Sequence, residues 1–332
     1  MSKRRVAKKL GFGLAALLAA GAAFEWLGAR ADARRYAEVG RRVDVGDGRA
    51  MFLDCRGEGA PVVVLEAGHH GWSPAWASVE PEVAKMTRVC SYDRAGLGAS
   101  DPGPRPRVAS AITADLARLL HRAGIQAPYV LVGHSAGGMY QRLFFHAHPS
   151  EVAGLVLVDT DEPTDDADRA EVAHAPDDRR AALLLTAAVH TGVLRFATQV
   201  LGVESDASRR YPEEAKVRMR AAMGPLARAM NDEWTSYQSA YTTVTDAPFG
   251  DRPLVVLGAL GYLPDPADRA DRRARQERLA ALSTRGELRM FADELHELPL
   301  LRPDLVVAAI DDVVRRCRTS PSGAPGRNRT SD

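Results

Sequence analysis

Tyr129-Val130-Leu131-Val132-Gly133-His134-Ser135-Ala136-Gly137-Gly138-Met139 decides how the rest of the chain is read. An apolar, β-branched run enters G-x-S-x-G and continues into Ala136–Ala147, a helical stretch. A serine between a strand and a helix in this motif sits on a sharp, strained turn with its hydroxyl lifted above the strand ends. Glycines two residues to either side leave room for the backbones to pack closely. The helix that follows aims its N-terminus and its unpaired N–H groups at the space above that hydroxyl. Such a turn with no chemical role is the alternative, and the β-rich strand before it and the helix after it put the functional reading well ahead. Ser135 is therefore the candidate nucleophile.

Outward from this segment the pattern repeats. Short apolar runs occur at Val62–Leu65, Val89–Tyr92, Val152–Val158 and Leu254–Leu257, with a further strand expected at Glu287–Phe291. Helical stretches such as Ala109–Ala123 separate them. Continuously apolar strands alternating with helices predict an α/β fold, a mostly parallel twisted sheet with helices on both faces. Val43–Val45 and Ala50–Cys55, joined by Gly46-Asp47-Gly48, read as an antiparallel hairpin at the sheet edge. Between Thr160 and Gly250 the alternation stops, and a helical cap over about 161–250 is expected, including the apolar run Ala181–Leu201. His190, Arg195 and Gln199 argue against that run being a second membrane span.

Composition removes several classes of function. The 332 residues carry 44 basic and 43 acidic side chains, a net charge of +1, so no bulk field would hold nucleic acid. Cys55, Cys90 and Cys317 are odd in number and share no C-x-x-C spacing, so the spacing indicates neither a disulfide framework nor a metal site. At the N-terminus, Lys3, Arg4, Arg5, Lys8 and Lys9 precede an apolar run from Leu10 to Leu27. A positive start before an apolar stretch reads as a membrane anchor or a cleaved signal peptide. Residues 1–39 are thus expected to be anchor and linker, 40–318 the globular domain, and 319–332, rich in Pro, Gly, Ser and Arg, a disordered tail. The domain would lie outside the cytoplasm, or be secreted if the segment is cleaved.

The elbow and the order of elements resemble the α/β-hydrolase family, serine-hydrolase branch, from about Arg41 to Arg316. Glu66-Ala67-Gly68-His69 resembles the loop carrying the family's first oxyanion donor, which by that match pairs the backbone N–H of His69 with that of Ala136. Asp93-Arg94-Ala95-Gly96-Leu97-Gly98-Ala99-Ser100 resembles the family's D-R-x-G-x-G-x-S loop, with a structural role at the floor of the site. As a dinucleotide fingerprint it fails, because Asp101 stands at the third glycine position. A serine hydroxyl needs a neighbouring base. His296 fills that role by resemblance: it precedes Leu300 and Arg302-Pro303, as in the family's H-x-x-x-L-x-R-P loop, although Leu295 stands where many members carry glycine.

The acid is the open choice. Asp159 closes the run Val156-Leu157-Val158-Asp159, where a minority of the family places its carboxylate. Asp265 follows the next strand, nearer the commoner position, and Asp161 is third. His134 is read as packing, and His70, His121, His174 and His190 as surface or cap residues. The resemblance implies a serine hydrolase for an ester or related acyl bond of a small to medium apolar substrate, working without cofactor or metal. The alternative from another class is a membrane-tethered binding protein that keeps the fold without turnover.

Overall fold

Alternate residues of the central strands feed two different cores. In the computed structural model, Val62, Val64, Leu131, Leu155 and Val256 face one side of the sheet. There they meet Leu116, Leu119 and Phe144 from covering helices. Val63, Val130, Val156 and Val255 face the other side and meet Val306, Ile310 and Val313. This period of two, with both faces apolar, is what a doubly covered parallel sheet demands. The covering helices match it: Ala109–Arg122 buries Ile112, Leu116, Leu119 and Leu120, and Pro303–Thr319 buries Val306, Ile310, Val313 and Val314, each on one stripe. The structure describes residues 3–163, 165–177 and 179–319; apart from Thr319, the tail expected at 319–332 lies outside them.

Eight strands form the sheet: β1 (Arg41–Gly46), β2 (Arg49–Arg56), β3 (Val62–Glu66), β4 (Val89–Tyr92), β5 (Tyr129–His134), β6 (Val152–Val158), β7 (Leu254–Ala259) and β8 (Gly286–Phe291). Their order is β1-β2-β4-β3-β5-β6-β7-β8. The β1–β2 hairpin is antiparallel, β2 runs antiparallel to β4, and every later pairing is parallel. The strand carrying the elbow, β5, therefore lies in the middle with its C-terminal end flanked by those of β3 and β6, where ligands gather in such sheets.

One expectation is overturned. Cys55 and Cys90 form a disulfide, 35 residues apart in sequence with Cα atoms 4.1 Å apart. The two are direct partners in the antiparallel β2–β4 register. Cysteine spacing cannot reveal this, because the pairing depends on which strands become neighbours.

Helices fill the interval between β6 and β7: Asp166–His174, Arg179–His190, Val193–Gln199, Asp206–Arg210 and Glu213–Thr243. The run Ala181–Leu201 is two helices bent by 69°, with Gly192 left-handed (φ 72°) at the break.

The N-terminal helix, Lys3–Ala37, is 35 residues long. Its Gly11–Ala37 stretch contains an 18-residue window of mean hydropathy 1.5 and is long and apolar enough to cross a membrane. Its C-terminal half also packs on the cap and the sheet. Thr191 and Gly192 lie against Gly21, and the Arg195 side chain lies against Gly28. Arg195 pairs with Glu25 at 2.9 Å and with Asp32 at 2.7 Å. Tyr36 is buried beside Phe52, Trp72 and Leu97. Gly21, Glu25, Gly28, Asp32 and Tyr36 share one face at steps of four, three, four and four. The packed body thus begins well before residue 40.

Candidate active site

Gly133 and Gly137 let the elbow close. A Cβ on Gly133 would stand 2.5 Å from the Gly137 carbonyl oxygen, and one on Gly137 would collide with the carbonyl of Glu66. Ser135 is held at φ 52°, ψ −127°, with its N–H donated to the Val158 carbonyl at 3.0 Å. Four non-glycine residues among those described have positive φ: Asp47 in the hairpin turn, and His70, Ser135 and Asp159. The last three follow or end β3, β5 and β6, three adjacent strands. Backbone strain of this kind, on the order of 1–3 kcal/mol each, persists only where the surroundings enforce it, and it concentrates at functional sites.

Asp159 and His296 are brought together. His296 Nδ1 lies 2.6 Å from Asp159 Oδ2. The other carboxylate oxygen accepts the Ala259 N–H at 3.1 Å and faces Arg272 Nη2 at 2.9 Å. Arg272 also donates to the Asp159 carbonyl at 2.8 Å. Asp159 is fully buried. Burial pushes its carboxyl up, but the His296 hydrogen bond, the Arg272 charge and the Ala259 N–H outweigh that and hold it at about 2. For His296, burial disfavours the charged ring, whereas the bond and charge of Asp159 favour it, and the net direction is upward.

The other two carboxylates make different contacts, although the Asp161 charge also favours the protonated His296 ring. Asp265 caps the helix Pro266–Ala281, accepting the Ala267 N–H at 2.8 Å. Asp161 lies 3.8 Å from Arg272.

Ser135 and His296 line one cleft of about 440 Å³ with Gly68, His69, His70 and His134, roofed from the cap by Ala207, Tyr211 and Met219. His134 does more than pack. Its Nε2 is 3.0 Å from the His296 carbonyl oxygen, and the two rings are 4.8 Å apart, so it fixes the backbone that carries the base candidate. Burial, then the neighbouring His296, pushes the His134 ring toward the neutral form. His70, read from sequence as a surface residue, lines the cleft instead and stacks on His69 at 3.8 Å. Burial and His70 lower His69 to about 4, so its ring is neutral near pH 7.

The loop after β3, which carries His69, is held from below by Arg94 of the Asp93–Ser100 segment. Arg94 donates to the carbonyls of Ala67 and Gly68 at 2.8 and 2.9 Å and to Glu66 at 2.7 Å, and it pairs with Glu233 of the long cap helix. Glu233 in turn accepts the His70 N–H at 3.3 Å. Asp93 accepts from the Tyr36 hydroxyl at 2.6 Å, Ser73 Oγ at 2.5 Å and the Ala99 N–H at 2.8 Å. Sequence reading missed Arg272, Glu233 and Tyr36. Only Tyr36 had a local signal, the single helix face it shares with Gly21 and Glu25.

Comparison with known proteins agrees with this architecture. A family model described as alpha/beta hydrolase fold matches residues 61–303. The chain belongs to the alpha/beta hydrolase family. A thermophilic esterase from Thermogutta terrifontis superposes with a TM-score of 0.59 at 21% identity, covering 84% of this chain and 98% of that one, a likeness of fold. Among sequence relatives, a probable transporter from Hormonema carpetanum is 38% identical over 126 residues, 36% of this chain and 18% of that protein. A putative carbamate hydrolase from Azorhizobium caulinodans is 32% identical over 108 residues, 32% of this chain and 40% of that one. The matched stretches span less than half the length of these relatives.

Proposed function

We propose that this family member is a serine hydrolase that cleaves a carboxylic ester, or a related acyl bond, of a small to medium apolar substrate through an acyl-enzyme. The observation that carries the reading is the His296 Nδ1–Asp159 Oδ2 contact of 2.6 Å at the cleft that Ser135 also lines. Asp159, ionised through the working pH range, holds the His296 tautomer whose Nε2 is free to act as base. Ser135 Oγ attacks the acyl carbon and its proton passes to His296. The backbone N–H groups of His69 and Ala136 carry the oxyanion. The alcohol leaves with the proton from His296. Water, deprotonated by the same ring, then attacks the acyl carbon and releases the acid and Ser135.

The apolar N-terminal part of this helix serves as a membrane anchor, with its packed C-terminal half and the domain outside the cytoplasm. Its five basic residues precede the apolar stretch, the orientation that keeps the positive end inside. The Cys55–Cys90 disulfide suits an oxidising compartment.

A fluorophosphonate probe should label the wild type at one residue, Ser135, and hydrolysis of p-nitrophenyl butyrate should stop in step with labelling. Ser135→Ala should lose both, with activity down ~10⁴–10⁶-fold. Retained turnover in that variant would remove the reading.

A further inference from the structure

A second cavity of about 350 Å³ lies between the N-terminal helix and the cap, away from the strand ends. Val189, Leu194, Val203, Met219 and Met223 supply its apolar wall. The charged groups around it are already matched: Arg195 with Glu25 and Asp32, Lys216 with Glu204 at 3.2 Å, and Arg220 with Glu213 at 3.1 Å. No unmatched charge among them selects an ionic guest, and the wall suits an uncharged apolar one.

The two cavities share a wall. Met219 lines both, and in the short helix Asp206–Arg210 Ala207 faces the cleft while Ser208 faces the second cavity. Methionine is the side chain best able to change rotamer at small cost, so a thin partition built on it can open. Near it on the cap, Val193, Phe196 and Leu201 are exposed, and Val203 of the cavity wall is itself exposed, which leaves an apolar approach to the second cavity. The N-terminal helix, with its apolar stretch, forms the remaining wall through Glu25.

We propose that this second cavity is a tail subsite: it takes the distal part of a long unbranched acyl or alkyl chain whose ester group sits at Ser135, with Met219 between the two compartments. The subsite extends the substrate class from the small to medium ester that the cleft alone would hold to an amphiphilic long-chain ester. The proposal rests on the reading of Ser135 as nucleophile, and its test separates the two.

Full-length protein in lipid nanodiscs is assayed with p-nitrophenyl laurate and butyrate. Val189→Trp adds bulk to the apolar wall of the second cavity. The laurate-to-butyrate ratio of kcat/KM should fall at least tenfold, within the span a filled apolar pocket imposes on chain length. An unchanged ratio overturns the subsite. If Val189→Trp fails to label with fluorophosphonate, Thr198→Phe on the same wall is read by the same ratio. If wild-type protein hydrolyses neither ester, the hydrolase reading fails, and the subsite is judged by binding of methyl cis-parinarate, an uncharged chain. Saturable binding weakened at least tenfold by Val189→Trp supports it, and equal binding by both proteins overturns it.

Discussion

Arg272 Nη2 stands 2.9 Å from Asp159 Oδ1, on the carboxylate oxygen opposite the one that meets His296. The guanidinium and the imidazole thus compete for one buried negative charge. If His296 is the base, kcat/KM rises with pH as the ring loses its proton, at a midpoint above the ordinary value near 6.5. Arg272→Met removes a cation that opposes the imidazolium. The rising limb of the pH profile should therefore move further upward, by about one unit or less. A downward shift would contradict the arrangement. The same groups set a stability window. Asp159 contributes above its unfolded value of 3.8, and that contribution fades as pH falls toward about 2. His296 contributes below its unfolded 6.5 and loses that contribution as pH rises through its raised folded value.

Two carboxylates give a paired test. Asp159→Asn should slow kcat/KM by ~10²–10⁴ because an amide supports the wrong tautomer. Asp265→Asn should leave kcat/KM nearly unchanged, and the thermal midpoint should move little because asparagine also caps helices well. The reverse pattern would assign the acid role to the residue that here caps Pro266–Ala281.

What the sequence made legible is what lies contiguous in it. The elbow is one unbroken motif, and Asp159 and His296 each sit just beyond a recognisable strand. Their meeting follows from β6, β7 and β8 being laid side by side in chain order. Arg272 carries no such signal, being one cation in a helix rich in arginine, Pro266–Ala281. Glu233 is 139 residues from the Arg94 it neutralises, and no local rule pairs them. The Cys55–Cys90 bridge depends on β2 lying beside β4 rather than β3.

Arg94 and Glu233 form a buried ion pair beneath the loop that holds His69. Glu233→Gln leaves the Arg94 charge with Glu66 alone, and truncating one partner of such a pair costs about 3–5 kcal/mol. A clear fall in thermal midpoint is expected in scanning calorimetry. Because the His70 N–H also loses its carboxylate acceptor, kcat should fall alongside, with KM less affected. An unchanged midpoint would mean that Glu66 alone neutralises Arg94.

Tyr36 ties the N-terminal helix to the floor of the site through Asp93, whose second oxygen is held by Ser73. Asp93 is completely buried, so any hydrogen bond taken from it leaves charge without water to replace the donor. Tyr36→Phe should therefore lose about 1–3 kcal/mol while keeping the ring's contacts with Phe52. A truncation starting at Gly40 removes the whole side chain and opens the cluster of Phe52, Trp72 and Leu97 to water, so it should be less stable still. A truncation starting at Gly28 keeps Asp32 and Tyr36 while discarding the whole apolar run from Leu10 to Leu27. Thermal midpoints should rank the Gly28 start above the Gly40 start, with Tyr36→Phe in the full chain between wild type and the Gly40 start. Equal midpoints for the two truncations would show that the helix contributes nothing to the fold beyond its apolar stretch.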